Sequence, residues 1–154
     1  MPHTQEQYQI RLTLAEPGEV RADIVLWADA FAAGTPTVSV DHVVSLRNRS
    51  TVAQWVLDEQ TRRNARTSVL VVVAPGSAPG EFPAANLAVA GAVISALSDL
   101  GLDHTSPEAA TALAAWLGVQ PARKHLLSAT AAAKALAAAG QRDAVVHAFE
   151  LDAD

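Results

Sequence analysis

Two short, continuous apolar runs place the strongest constraint on how this chain folds. Residues 23–29 (DIVLWAD) and 68–74 (SVLVVVA) have strand length, and almost every side chain inside them is apolar. Such a run is typical of a strand that is covered on both faces of its sheet, as in parallel sheets. The β-branched stretch 37–46 (TVSVDHVVSL) indicates a further strand or a pair of short strands. We therefore expect these three segments to be the central strands of a sheet.

Other segments show strand or helix patterns. Residues 7–14 place apolar side chains at every second position, which predicts a half-buried strand, and 144–151 (AVVHAFEL) predicts a final strand. A helix is expected near Thr51, because Thr51 and Gln54 have capping-box spacing. Another is expected from Asn86, which is placed to cap an apolar helix.

Two alanine-rich segments carry clear signals of helix ends. Ser106 is placed to cap a helix that begins at Pro107, and Gly118 is placed beyond its end. The stretch 128–140 repeats this design. The alternation of strands and helices predicts a single α/β domain over residues 1–154, with a mixed, partly parallel sheet and helices on both faces.

Composition excludes several classes of function. The formal net charge is −5, so the chain has no basic surface of the kind that binds nucleic acid. There is no cysteine, which excludes disulfides, thiolate catalysis and thiolate metal sites. No apolar run approaches the roughly 20 residues that span a bilayer. The polar N-terminal stretch MPHTQEQYQI does not resemble a signal peptide, so we expect a cytoplasmic protein without membrane association.

Common catalytic and nucleotide-binding motifs are missing from the sequence. It contains no G-x-S-x-G elbow, no Walker A loop and no G-x-G-x-x-G fingerprint. The five histidines show no zinc-ligand spacing on one helix or strand. Two candidate features remain: an aspartate at the end of a buried strand, and a glycine-containing loop that leads into a helix.

The aspartate is Asp29, which ends the first apolar run and precedes a turn of small residues. The carboxyl end of a strand is where α/β folds place metal ligands and catalytic bases. An aspartate there is equally typical of a turn, in which its side chain binds nearby backbone N–H groups. The pattern alone leaves both roles open.

The loop is 75–86 (PGSAPGEFPAAN), between the second apolar run and the helix expected from Asn86. Gly76 and Gly80, with Ser77 between them, give backbone N–H groups room to approach an anion. The positive end of the helix dipole would favour that anion. The alternative is an ordinary surface loop.

The order of these features resembles the 2-phosphosulfolactate phosphatase family, Mg²⁺-dependent enzymes of coenzyme M biosynthesis with their own α/β fold. ADIVLWADAFAAG is similar to the family's first motif, an apolar strand that ends in aspartate, and Asp29 falls on that aspartate. VVSLRNRSTVAQWVLDEQ is similar to the stretch where a strand ends in Gly-Ser and an asparagine precedes a helix; Ser45 and Asn48 take those places. VLVVVAPGSAPGEFPAANLAVAGAVISAL is similar to the family's next strand, loop and helix.

The resemblance implies a phosphatase-like α/β fold and a site for a small phosphorylated acid. Asp29 and Glu81 would bind Mg²⁺, and Asn48 would act with them at the catalytic site. The loop residues Gly76, Ser77 and Gly80 would hold the phosphorylated ligand.

The chain also departs from the family pattern. The family's arginine after the first aspartate is replaced by Ala32, and the paired acids at the helix start are replaced by Ala85 and Asn86. Several dozen residues between the first two motifs, which include a phosphate-loop motif, are missing. Because phosphoryl transfer depends on such charges and clamps, we expect Mg²⁺-dependent phosphatase activity to be weak or lost.

Two other functions stay open at this point. One is a non-catalytic domain that binds a small anion, and the other is an oligomeric interaction domain that keeps the fold. Loss of a middle segment should uncover apolar surface, so we expect a homodimer. Trp55 and Trp116 are candidates for that surface, although each is also typical of a core.

Overall fold

The protein is described here by a computed structural model that covers residues 5–18 and 20–154. Residues 1–4, the start of the N-terminal stretch interpreted above, and Glu19 lie outside the described residues. One sheet is formed by β1 (Ile10–Leu14), β2 (Ile24–Ala28), β3 (His42–Val44) and β4 (Val69–Val73). The strand order is β1-β4-β2-β3, and every neighbouring pair is parallel. The sheet is therefore fully parallel, not mixed.

The two continuous apolar runs form the central strands, as predicted. All residues of β2 and β4 are buried, and Trp27 lies beside Val72 in the parallel register. The prediction for 37–46 is wrong in part, because only β3 within it is a strand and β3 is an edge strand. Val38 and Val40 pack onto a face of the sheet instead of extending it.

Within the described part of the chain, six helices follow or connect these strands. They are α1 (Arg49–Arg63), α2 (Ala84–Asp99), α3 (Pro107–Val119), α4 (Arg123–Ser128), α5 (Ala131–Ala138) and α6 (Arg142–Ala148), and a 3₁₀ turn (Gln120–Ala122) joins α3 to α4. Over the ranges that the structure covers, no helix combines the length and apolar character needed to cross a membrane.

The helix α2 is the centre of the helical layer, and Gly91 allows α3 to approach it closely. A Cβ atom on Gly91 would lie 2.1 Å from the Ala112 carbonyl oxygen and 2.6 Å from Trp116 Cβ. Trp116 is completely buried at this contact, so it belongs to the core and is excluded as an interface residue. Trp55 is half-buried, with its ring edge-on to His42 at 4.4 Å between centroids.

The two faces of the sheet are covered differently. On one face, strands and helices form a single large apolar cluster. On the other face, Val25, Trp27 and Val72 pack against partly buried residues from segments 15–22 and 38–43. No described helix contributes to this second cluster. The prediction of helices on both faces is therefore wrong.

The reason lies in the connections between strands. The links β1–β2 (15–23) and β2–β3 (29–41) step in one direction across the sheet and contain no helix among their described residues. The link through α1 steps back from β3 to β4. Because crossovers between parallel strands share one hand, opposite steps lie on opposite faces of the sheet. The two helix-free links thus leave one face to loops.

The predicted final strand, 144–151, is wrong: α6 occupies most of it. Its buried residues are Val145, Ala148 and Phe149, whose spacing is that of one helical face, whereas the Val146 side chain is half exposed. Helical periodicity therefore decides this segment against the β-propensity of its two valines.

The predicted helix starts are confirmed in one case and wrong in others. Ser106 caps α3, and its hydroxyl accepts a hydrogen bond from the Ala109 N–H. By contrast, α2 begins at Ala84, so Asn86 lies inside it, and Thr51 lies inside the first turn of α1.

The second alanine-rich segment is divided between two helices. Ser128 ends α4, and Thr130 caps α5 by accepting a hydrogen bond from Ala133 N–H. At the end of the first alanine-rich segment, Gly118 does not terminate α3 but lies inside it.

The C-terminal residues 150–154, here called the C-terminal strap, lie along the start of α1. Asp152 accepts a hydrogen bond from the Ser50 N–H at 3.2 Å and pairs with Arg49 at 3.4 Å. Burial raises the pKa of Asp152, but the hydrogen bonds from Ser50 and Arg49 outweigh it and hold that pKa below its ordinary value. The ionised carboxylate therefore stabilises the folded chain.

We predict that Asp152→Asn lowers the melting temperature at pH 7 and that this difference is smaller at about pH 3. The folded pKa of Asp152 lies below the unfolded value, so its contribution is complete above the unfolded pKa and is lost as the pH falls through the folded pKa. Thermal melts of both proteins at the two pH values measure this. A difference of the same size at both would contradict the prediction.

Candidate functional site

A cavity of about 360 Å³ opens at the carboxyl ends of β2 and β4, where α2 begins. Its walls come from the turn after β2, the loop between β4 and α2, and the start of α5. The polar or charged side chains among its lining residues are Asp29, Thr35, Ser77, Glu81, Asn86 and Thr130, with Trp27 and Phe31 as the aromatic ones. This is the edge of a parallel sheet where ligands usually bind.

Asp29 is buried, and both of its carboxylate oxygens accept backbone hydrogen bonds from the turn that follows β2. Oδ1 accepts from the Phe31 N–H and Oδ2 from the Gly34 N–H, each at 3.2 Å. The structure thus shows the turn role for Asp29, and the same side chain also lines the cavity. Only a carboxylate offers two acceptors in this arrangement.

Asn86 joins the ends of the two central strands. Its Oδ1 accepts a hydrogen bond from the Ala30 N–H at 2.8 Å, and its Nδ2 donates to the carbonyls of Ala74 (3.0 Å) and Pro75 (3.2 Å). The side chain is buried in the third position of α2. Sequence reasoning assigned Asn86 to a helix cap and missed this role. The available signal was a lone amide among the otherwise apolar residues 84–94.

Glu81 folds back over its own loop. Its Oε2 accepts hydrogen bonds from the Ser77 hydroxyl at 2.7 Å and the Ala78 N–H at 3.1 Å. The Ser77 hydrogen bond is the main reason why the pKa of Glu81 lies below its ordinary value, and backbone N–H groups, including that of Ala132 in α5, act in the same direction. Glu81 is therefore an anion that is already satisfied within the protein.

Gly76 has a spatial role in this arrangement. A Cβ atom on Gly76 would lie 2.8 Å from Glu81 Cβ, a separation that real Cβ atoms do not adopt. The loop glycine is thus required for Glu81 to pack over it.

Gly80, the other loop glycine, has φ 77°, a left-handed conformation that favours glycine. It lines a second cavity of about 680 Å³, whose wall also includes Gly76, Ser77 and Glu81. The loop between β4 and α2 therefore separates the two cavities.

Asn48 lies apart from both cavities, at the junction of β3 and α1. Its Oδ1 accepts a hydrogen bond from the Ser45 N–H at 2.8 Å, and its Nδ2 donates to the Val43 carbonyl at 3.0 Å. It is not among the residues that line either cavity. The structure thus brings Asp29, Glu81, Gly76 and Ser77 to one cavity and Gly80 to the other, but does not bring Asn48 to either.

The cavity fits a resident Mg²⁺ ion poorly. Two carboxylates line it, and the described residues contain no group of three acidic or histidine side chains that could hold a metal. Three of the four carboxylate oxygens already accept hydrogen bonds from the protein. Mg²⁺ needs near-octahedral oxygen coordination and would have to displace those N–H and O–H donors.

The strand-end role of Asn86 predicts a large stability loss in Asn86→Ala. The variant leaves the Ala30 N–H and the Ala74 carbonyl buried without their partner, which costs about 2–3 kcal/mol. Urea unfolding measures the change, and Gln54→Ala, which removes an exposed side-chain hydrogen bond on α1, serves as the control. A loss below that of the control would show that the strand ends do not depend on Asn86.

No protein-family model matches this chain, and no curated protein matches it either. The resemblance to the 2-phosphosulfolactate phosphatase family therefore rests on the sequence motifs alone.

Proposed function

We propose that this chain is a 2-phosphosulfolactate phosphatase-like α/β protein that keeps a ligand cavity but has little or no phosphatase activity. The observation that carries the proposal is the charge of the cavity wall. Asp29 and Glu81 are the charged side chains among its described lining residues, and three of their four carboxylate oxygens accept hydrogen bonds from their own loops. Any residual turnover would be Mg²⁺-dependent hydrolysis of a small phosphorylated acid.

The chemistry of phosphoryl transfer supports this proposal. The transferring group carries negative charge, which active sites stabilise with metal ions, cationic side chains and oriented N–H groups. Lysine, arginine and histidine are absent from the residues that line this cavity. Ala32, which stands where the family has arginine, is exposed and has φ 49°. Two carboxylates without a compensating cation would repel a phosphate ester.

A non-catalytic small-anion site is the second candidate function, and one observation favours it. The helix α2 begins beside the cavity, with Ala84 and Ala85 in the wall. It has no side-chain cap and no acidic residue in its first turn. Its first N–H groups and its dipole would attract an anion. The two carboxylates oppose this attraction, so we expect the cavity to bind a small anion only weakly.

The homodimer stays a prediction. Among the described residues, the large apolar side chains exposed to solvent are Leu14, Phe82, Leu117, Leu126 and Val146.

The first test of the proposed function is phosphate release from 2-phosphosulfolactate with Mg²⁺. We expect turnover near background, because removal of even one electrostatic contributor typically lowers rates by about 10²–10³. The wild type is compared with Glu81→Gln, which removes one of the two negative charges among the residues that line the cavity. Robust release by the wild type would contradict the proposal. Release that is unchanged in Glu81→Gln would place the activity outside this cavity.

The second test addresses Asp29 through stability. We expect Asp29→Asn to lower the free energy of unfolding by about 1–2 kcal/mol, because the new amide NH₂ would face a backbone N–H of Phe31 or Gly34. Urea unfolding measures the loss. Asp58→Asn is the matched control, since Asp58 is exposed on α1 and its remaining acceptor oxygen can still receive the Gln54 amide. Equal stability of Asp29→Asn and wild type would show that Asp29 is not needed for the turn.

A further inference from the structure

The C-terminal strap is attached to the start of α1 through its backbone. The Asp152 N–H donates to the Leu46 carbonyl at 3.1 Å, and the Asp154 N–H donates to the Arg47 carbonyl at 3.0 Å. The Thr51 hydroxyl donates to the Asp154 carbonyl at 3.1 Å. These bonds place the strap beside the junction of β3 and α1.

Opposite charges face each other along this contact. Arg47 pairs with Asp154 at 2.9 Å and with Glu150 at 3.2 Å, and Arg49 pairs with Asp152 at 3.4 Å. All three acids of the strap are therefore paired with arginines of one short segment. Such a contact weakens at high salt, because partly exposed charges are screened.

The strap also completes α1. This helix has no acidic residue in its first turn, and Asn48 at its N-cap makes no side-chain capping bond. Asp152, about a hundred residues further along the chain, supplies both a negative charge and a capping hydrogen bond, because its carboxylate accepts the Ser50 N–H. A carboxylate at a helix N-terminus is favoured by the dipole and by the unpaired N–H groups.

Phe149, just before the strap, connects it to the cavity. This side chain is completely buried, and its ring lies edge-on to that of Phe31 at 5.7 Å between centroids. Phe31 lines the cavity, and its N–H donates to Asp29. Arg123 holds the Phe149 carbonyl at 3.0 Å, which is a second anchor for this residue. One continuous contact path thus runs from the strap to the Asp29 turn.

We infer that the C-terminal strap, through its ion pairs with Arg47 and Arg49, regulates how well ordered one part of the cavity wall is. That part is formed by Phe31 and the Asp29 turn. When the strap detaches, Phe149 keeps its Arg123 anchor but loses the support of the segment that follows it, and the turn after β2 loosens. The inference goes beyond the proposed function, because it holds whatever ligand the cavity binds. High salt, or a partner that binds Arg47 and Arg49, would therefore regulate the cavity.

Amide hydrogen exchange on the full chain tests this inference. In the double variant Asp152→Asn/Asp154→Asn we expect the Phe31 and Gly34 amides, which donate to Asp29, to exchange about fivefold faster. Amides of β4 report global unfolding and should change less. The matched control is Glu59→Gln, which removes a carboxylate paired with Arg62 and Arg63 at the other end of α1.

Each outcome decides the inference. Faster exchange at Phe31 and Gly34 in the double variant, but not in the control, supports it. Faster exchange confined to the strap overturns the inference, because the strap would then be independent of the cavity wall. No change anywhere also overturns it. If the double variant fails to fold, wild-type exchange is compared at low salt and at about 1 M NaCl, where the same pattern is required.

Discussion

The hydrogen bonds of one buried amide, Asn86, set the geometry on which the candidate site depends. They join the turn after β2 to the chain after β4, so these two segments leave the paired strand ends in a fixed arrangement. The same side chain sits in the first turn of α2 and thereby fixes where that helix starts relative to the sheet. Parallel strands have no hairpin to align their ends, so such a side chain supplies what backbone connectivity does not.

The central part of the fold could be predicted from the sequence because it depends on local apolar character. Two runs of buried residues became β2 and β4, and Ser106 capped α3 as expected. The rest depended on non-local relations. Whether a face of the sheet is covered by helices or loops follows from the direction in which each link crosses the sheet, and the sequence pattern does not state that direction. The prediction of a strand at 144–151 was wrong because it gave β-propensity more weight than the helical spacing of Val145, Ala148 and Phe149.

The candidate site was likewise predictable only in the features that depend on local sequence. The position of Asp29 at a strand end could be predicted, because a buried run followed by an acid and small residues is a local pattern. The use of its carboxylate could not, because the choice between turn acceptor and metal ligand depends on where the Phe31 and Gly34 N–H groups point. The role of Gly76 is likewise invisible in sequence, since it depends on the Glu81 side chain packing against it.

These contacts explain how the cavity could persist in a chain with the weak or lost phosphatase activity that we propose. Three polar side chains that line the cavity also have a structural role: Asp29 closes a turn, Glu81 closes a loop, and Asn86 joins the segments after two strands. Substitution of any of them would disturb the fold, so their presence is accounted for by stability alone. A cavity at the carboxyl edge of a parallel sheet is thus a consequence of strand and helix ends meeting there. The cationic groups that phosphoryl transfer uses are not among the described residues that line this wall, so the persistence of the cavity is compatible with the weak or lost phosphatase activity that we propose.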